Sequence, residues 1–255
     1  MKWLRGLVTA AGLILLWQGV VWATGAPPYI LPGPLAAAQA WFANAGSIAG
    51  HAGVTLAEIL LGLALGIALG AASAITIALF RPARRWILPL LVTSQAVPVF
   101  AIAPLLVLWL GYGIASKVAM ATLIIYFPVA ASFLDGLRRT EPGWLDLADT
   151  MTGGRGRFAA LLFIRVPAAL PAFASGLRVA VAVAPIGAVV GEWVGSGAGL
   201  GYLMLHANGR VQIDLMFAAL ITLAVLAIAL YFTTDALLRR AIPWQSDAAF
   251  PSADP

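Results

Sequence analysis

Few residues in this 255-residue chain could carry out catalysis. It has ten carboxylates, two histidines, two lysines and no cysteine. Without cysteine there is no disulfide, no thiol nucleophile and no thiolate metal site. His51 and His206 are far apart, in segments that read as exterior loops, and neither sits at a metal-ligand spacing; each reads as a solvated loop histidine. A phosphate-binding loop needs Gly-Lys followed by Ser or Thr, whereas the lysines stand in Met1-Lys2-Trp3 and Ser116-Lys117-Val118. The run Gly195, Gly197, Gly199, Gly201 lacks the strand and helix of a dinucleotide site and reads as a flexible exterior loop. No Gly-x-Ser-x-Gly elbow occurs. These absences exclude the common enzyme chemistries and ATP binding by a P-loop. Three charged groups remain notable because of where they fall: Glu58 and Asp235 lie within apolar segments, and Arg178 lies about ten residues into another. Ionisable groups at membrane depth mark ion paths or paired structural sites. Arg178 either pairs with an acid or carbonyl or lines a path, and no chain of acids crosses an apolar segment as proton coupling would need.

The elements that position these groups are membrane helices. The chain is 62% hydrophobic and 10% charged, against about a quarter charged for a soluble domain, and a soluble chain this apolar would expose large sticky patches. A spanning helix needs roughly 20 apolar residues, and six candidates appear, at about 6–23, 56–80, 87–110, 118–134, 168–190 and 215–238. Prolines interrupt the third (Pro89, Pro98, Pro104), the fourth (Pro128) and the fifth (Pro171, Pro185), which membrane helices tolerate where neighbours satisfy the freed backbone groups. Lys2 and Arg5 ahead of the first apolar run also resemble a signal peptide, but the run is longer than such a segment usually is. The second span carries Gly62, Gly66 and Gly70, followed by Ala74, four apart, a smooth face for close helix packing.

Twelve of the fifteen basic residues fall on one side if both ends of the chain are cytoplasmic, as the excess of Lys and Arg in cytoplasmic loops requires. Lys117 and Arg210 fall outside. The net charge of +5 reflects this bias rather than nucleic-acid binding. The whole chain, 1–255, reads as one all-α transmembrane domain, with residues beyond about 243 a disordered tail. A short helix over about 35–45 lies along the membrane surface.

The long cytoplasmic segment, about 135–167, reads as a helix over 144–152, a break at Gly153, Gly154 and Gly156, and a second helix over about 157–166 with Phe158, Leu161, Leu162 and Arg165 on one face. Pro167 then opens the fifth span. Such an element either carries motion from a cytoplasmic partner into the membrane or merely anchors the loop.

This stretch resembles the cytoplasmic loop of ABC-importer permeases, with its pattern of Glu-Ala-Ala, three residues, Gly, nine residues, Ile, one residue, Leu-Pro. Gly154 is followed by nine residues and then Ile164, Arg165, Val166 and Pro167. Val166 replaces Leu, and Ala148, Asp149 and Thr150 stand where Glu-Ala-Ala is usual, so an acid contact would come from Asp149. Tyr29 to Pro34, Val97-Pro98, Ala103-Pro104-Leu105, Leu110 to Gly113, Gly176-Leu177-Arg178, Gly191-Glu192-Trp193 and Gly199 to Tyr202 resemble the nitrate, taurine and aliphatic-sulfonate branch. Phe133 to Thr140 and Tyr202 to Leu220 most resemble permeases for hydroxymethylpyrimidine, a thiamine precursor. The resemblance implies a type I importer permease fold and a permease homodimer. It implies two separate ATPase subunits that bind ATP and Mg, a soluble substrate-binding protein, and no cofactor on this chain. It places the ATPase contact at Ala148, Asp149, Thr150, Gly153, Gly154, Arg155 and Gly156, tied to Ile164 and Pro167, and the substrate mouth near Glu192 and Trp193, with Arg178 along the path. The rival reading is a secondary transporter or channel, for which no coupling group or filter is visible.

Overall fold

The structure is a computed structural model that describes residues 2–96, 98–152 and 156–244. Among these the chain is all helix: α1 (Lys2–Thr24), α2 (Pro34–Ala43), α3 (Ala45–Leu79), α4 (Arg81–Ala96), α5 (Val99–Leu110), α6 (Ile114–Arg138), α7 (Pro142–Thr152), α8 (Arg157–Ala160), a π turn (Leu161–Arg165), α9 (Val166–Gly195), α10 (Leu200–Gly209) and α11 (Ile213–Ala241). Five helical stretches are long and apolar enough to span a bilayer, and α5 adds a shorter apolar helix. All-helical spans follow from the medium, since hydrocarbon offers no partner for backbone N–H and C=O groups.

The core is α6 sandwiched between α3 and α9. α3 runs parallel to α6: a side chain on Gly62 would strike Ala121, on Gly66 Ile125, and on Gly70 Val129. Each step is four residues on both helices, so one ridge of α6 lies in the groove left by missing side chains on α3. α9 runs antiparallel to α6, with Gly176 against Pro128 and Ser132, Gly187 against Ala121, and Gly191 against Lys117. Ile59, Leu63, Ile125, Val129, Leu177, Val181 and Ala184 fill the space between the three helices. The opposite face of α3 leaves Leu60, Leu61, Leu65 and Leu69 exposed, as a lipid-facing surface requires. The Tyr126 hydroxyl donates to Ser73 Oγ at 3.0 Å, and Trp41 Nε1 on α2 donates to Thr222 Oγ1 on α11 at 3.0 Å.

Two expectations change. The third span is two helices, because Pro98 stands at the start of α5 with extended backbone (φ −61°, ψ 123°) and, lacking an N–H, cannot continue α4. The second helix begins at Ala45 rather than near residue 56, so only a turn and α2 separate it from α1. The second loop helix runs into the fifth span without interruption, so that α8, the π turn and α9 form one continuous rod.

Candidate functional site

The chain's notable groups lie in three places along that rod. One end of the bundle carries α7 with Arg138, Arg139 and Arg165. Pro142–Thr152 forms α7, on which Ala148 faces inward while Asp149 and Thr150 are exposed. Thr150 Oγ1 donates back to Leu147 O at 2.7 Å. Gly153, Gly154 and Arg155 lie outside the described residues; Gly156 directly precedes α8. The π turn has a local cause. Pro167 gives α9 no donor, and its ring would crowd the carbonyl four residues back. Widening the turn, so that Val166 N–H reaches Leu161 O, absorbs that mismatch. This widening also overturns the single helix face expected for 157–166: Leu161 is buried, while Phe158 and Leu162 are exposed.

Arg165 converts the turn into a joint. Its Nε and Nη2 donate to Leu137 O at 3.2 and 2.9 Å, one of the carbonyls left without a helical partner at the end of α6. The fork therefore ties the start of the α9 rod to the end of α6. Beside it, Thr140, Trp144, Phe163, Ile164, Pro167 and Trp244 line an open groove of about 730 Å³. Ala78, Leu79, Leu145, Asp149, Ala160 and Arg165 line a smaller one of about 140 Å³. Ile164 and Pro167 thus sit between α7 and the spanning part of α9.

Farther along the rod, Arg178 is partnered. Its Nε lies 2.7 Å from Asp235 Oδ1 on α11, and Asp235 Oδ2 takes Arg239 Nε at 2.9 Å. Two of the three charges that the apolar segments left unexplained are one ion pair joining α9 to α11.

At the far end, the geometry corrects the loop readings. Glu192 is inside α9, 1% exposed, with its carboxylate directed at α3 and α10. Oε1 accepts from Thr55 Oγ1 at 2.6 Å, and Oε2 accepts from the backbone N–H of Gly201 and, at 3.3 Å, of Tyr202. The glycine run is accordingly a fitted turn: Gly195 ends α9, and Gly199 takes φ +111° directly over the Glu192 carboxylate, where any side chain would collide. His51 is on α3, where Nδ1 accepts from Gly199 N–H at 3.0 Å. His206, on α10, has its ring against Tyr202. Lys117, read as an exterior loop residue, is 1% exposed at the start of α6. Trp193 points the other way and, with Phe100, Ile186, Met204 and Asn208, lines an apolar groove of about 740 Å³. No sequence signal linked Glu58, Thr55, Lys117 and Glu192, which come from three helices; the excess of buried polarity in apolar spans was the only hint.

A bundle of long apolar helices, with a loop that runs directly into one of them, defines a multi-pass membrane protein. The chain belongs to the family of binding-protein-dependent transport system inner membrane components, which matches residues 62–245. A probable ABC transporter permease of Haemophilus influenzae is 56% identical over 94% of this chain and 97% of its own. The formylaminopyrimidine transport permease ThiX of Halalkalibacterium halodurans is 37% identical over 91% and 94%, and the taurine transport permease TauC of Escherichia coli 28% over 94% and 89%. A chain of the MetNI methionine ABC transporter in inward-facing form shares the fold, with a TM-score of 0.62 at 18% identity over 74% of this chain and 93% of that one. The protein is thus an ABC-importer permease of type I fold, a multi-pass inner-membrane transport subunit. The family works with a separate ATPase and a substrate-binding protein.

Proposed function

We propose that this chain forms, as a homodimer with two ATPase subunits, the path for a small uncharged aromatic heterocycle of the thiamine-precursor kind, hydroxymethylpyrimidine or a close analogue, delivered by a binding protein. ATP and Mg act on the ATPase subunits. Both chain ends face the cytoplasm, so α7 and the π turn meet the ATPases there. Closure of the ATPases displaces α7, and the Arg165 fork makes α6 and α9 follow as one body. Ala148 to Gly156 is the contact surface, and Asp149 supplies its acid.

The observation that carries the substrate class is the absence of free positive charge among the described buried groups. Arg178 is held by Asp235 and Lys117 by three backbone carbonyls. A path for a taurine or sulfonate anion would be expected to offer a cation, because moving a bare charge through apolar surroundings costs several kcal/mol or more. Trp193 and Phe100 in an apolar groove suit a flat ring, which aromatic faces stack against. Of the three substrate-path candidates, Trp193 is the one with a free face; Arg178 and Glu192 position helices. The similarity to a pyrimidine permease at 37% against 28% for a taurine permease points the same way.

The test is uptake into proteoliposomes holding permease, ATPase and binding protein. ATP-driven uptake of hydroxymethylpyrimidine unaffected by excess taurine is expected. Uptake of taurine or nitrate, without the pyrimidine, would overturn the substrate class.

A further inference from the structure

The far end of the bundle buries two carboxyls beside one amine, and the hydrogens there can be counted. Glu58 and Glu192 are 2% and 1% exposed, and their carboxyls are neighbours. Apart from Glu58, every group that reaches Glu192 is a donor: the N–H of Gly201, the N–H of Tyr202 and the hydroxyl of Thr55. Thr55 Oγ1 accepts Leu200 N–H at 2.8 Å, and its own proton has two acceptors in reach, of which Glu192 at 2.6 Å is much the closer and His51 O at 3.3 Å the weaker. Glu192 is therefore furnished as a carboxylate. Lys117 is the nearby cation, but its three hydrogens are taken by the carbonyls of Tyr112, Gly113 and Gly195. It lends its charge at a distance and has no hydrogen left for a glutamate.

Glu58 is left without a donor. Its Oε2 is fully buried and meets no hydrogen-bonding partner. The other titratable groups facing the cluster do not help. His51, on α3, accepts Gly199 N–H on Nδ1 and carries no proton there. Tyr202, the α10 contribution, presents its backbone N–H, with its ring against the two histidines. Tyr112, before α6, presents a carbonyl to Lys117 and its ring to Gly195. One positive charge thus faces two carboxyls in a buried site, where two adjacent carboxylates cannot both stay ionised.

We infer that Glu58 and Glu192 form a proton-binding site holding one proton per chain, with Glu58 as the acid that donates to the Glu192 carboxylate. One O–H bond on Glu58 supplies the missing donor and leaves the cluster neutral with Lys117. The pair pins α3 to the end of α9 and, through the glycine turn, to α10. Loss of the proton would set two negative charges against each other at that junction and loosen it.

The test is infrared spectroscopy of the purified full-length permease in lipid nanodiscs at neutral pH, where a protonated carboxyl has its own C=O stretch. The chain has three glutamates, Glu58, Glu141 and Glu192, and Glu141 is exposed. Carbon-13 labelling of glutamate carboxyls should shift a band worth one carboxyl per chain, with no substitution made. Glu58→Gln should abolish the band, since Glu192 then stands alone against Lys117, and Glu192→Gln should abolish it for the converse reason. No label-sensitive band in the unmodified chain would overturn the inference, and so would a band that survives both substitutions. A band present only without sodium and potassium would show a cation competing for the pair and would overturn the assignment of the site to a proton.

Discussion

Replacing Gly66 with alanine adds one methyl group at one of the two closest points of the α3–α6 contact. The added Cβ would stand 2.5 Å from Ile125 Cγ2 and 2.9 Å from its Cβ, with Thr122 O at 3.5 Å. Ile125 cannot swing away, because a β-branched side chain in a helix has one strongly preferred rotamer, and its Cβ moves only with the backbone. Relief needs the helices to separate by roughly an ångström, which loosens the Gly62 and Gly70 contacts as well. Overpacking of this kind costs about 1–3 kcal/mol, while alanine regains up to about 1 kcal/mol of helix propensity. The net expectation is a loss of about 1–2 kcal/mol in reversible unfolding from mixed micelles. A companion variant sharpens the test. Ile125→Ala removes the γ-methyl and should couple favourably with Gly66→Ala in a double-mutant cycle. Ile125→Val keeps that methyl and should not. A Gly66→Ala protein as stable as the parent, or equal coupling with both partners, would refute the close-packing argument.

Other outcomes follow from the same geometry. Asp235→Asn should leave Arg178 partly buried and unpaired and cost about 1–3 kcal/mol in the same unfolding assay, whereas Arg178→Leu with Asp235→Leu should recover much of that loss. Arg165→Gln removes the fork on Leu137 O. Discounting for partial exposure leaves about 1 kcal/mol, so stimulation of ATPase activity by loaded binding protein should fall roughly fivefold while membrane insertion is unchanged. Arg165→Lys should not restore it, because an ammonium lacks the rigid fork. Gly199→Ala should cost at least about 1–3 kcal/mol for its backbone conformation alone. It also meets the Glu192 carboxylate, and its yield of folded protein should fall well below that of Gly197→Ala, where nothing lies within contact range.

The sequence made some of this fold legible. Apolar length and the clustering of arginines identify membrane helices because the bilayer imposes both, and the spacing of Gly62, Gly66 and Gly70 identifies a packing face because four residues return to the same side of a helix. The break at Pro98 was visible as a proline, but its severity depends on whether a neighbour can satisfy the backbone it frees. The π turn was hidden because it arises from a conflict between Pro167 and a rod that continues through it. Glycine-rich sequence normally marks loops, and nothing local distinguishes a mobile loop from one wrapped around the carboxylate of Glu192. The polar cluster was hidden for the same reason. Glu58 stood out in its apolar segment, but nothing local ties it to Thr55, Lys117 or Glu192, and only the parallel packing of α3 on α6 and the antiparallel packing of α9 on α6 bring them together.

The absence of native cysteines permits a direct test of the central claim, that ATP-driven motion enters at α7 and passes through the π turn into α9. Asp149→Cys, on the exposed side of α7, and Arg210→Cys, exposed beyond α10 at the opposite end, would each be the one thiol of the permease in an assembled importer. The account predicts that a short crosslinker joins Asp149→Cys to the ATPase subunit, with a yield that changes when ATP binds, and leaves Arg210→Cys unlinked to it. Crosslinking of Arg210→Cys to the ATPase, with none from Asp149→Cys, would contradict the account.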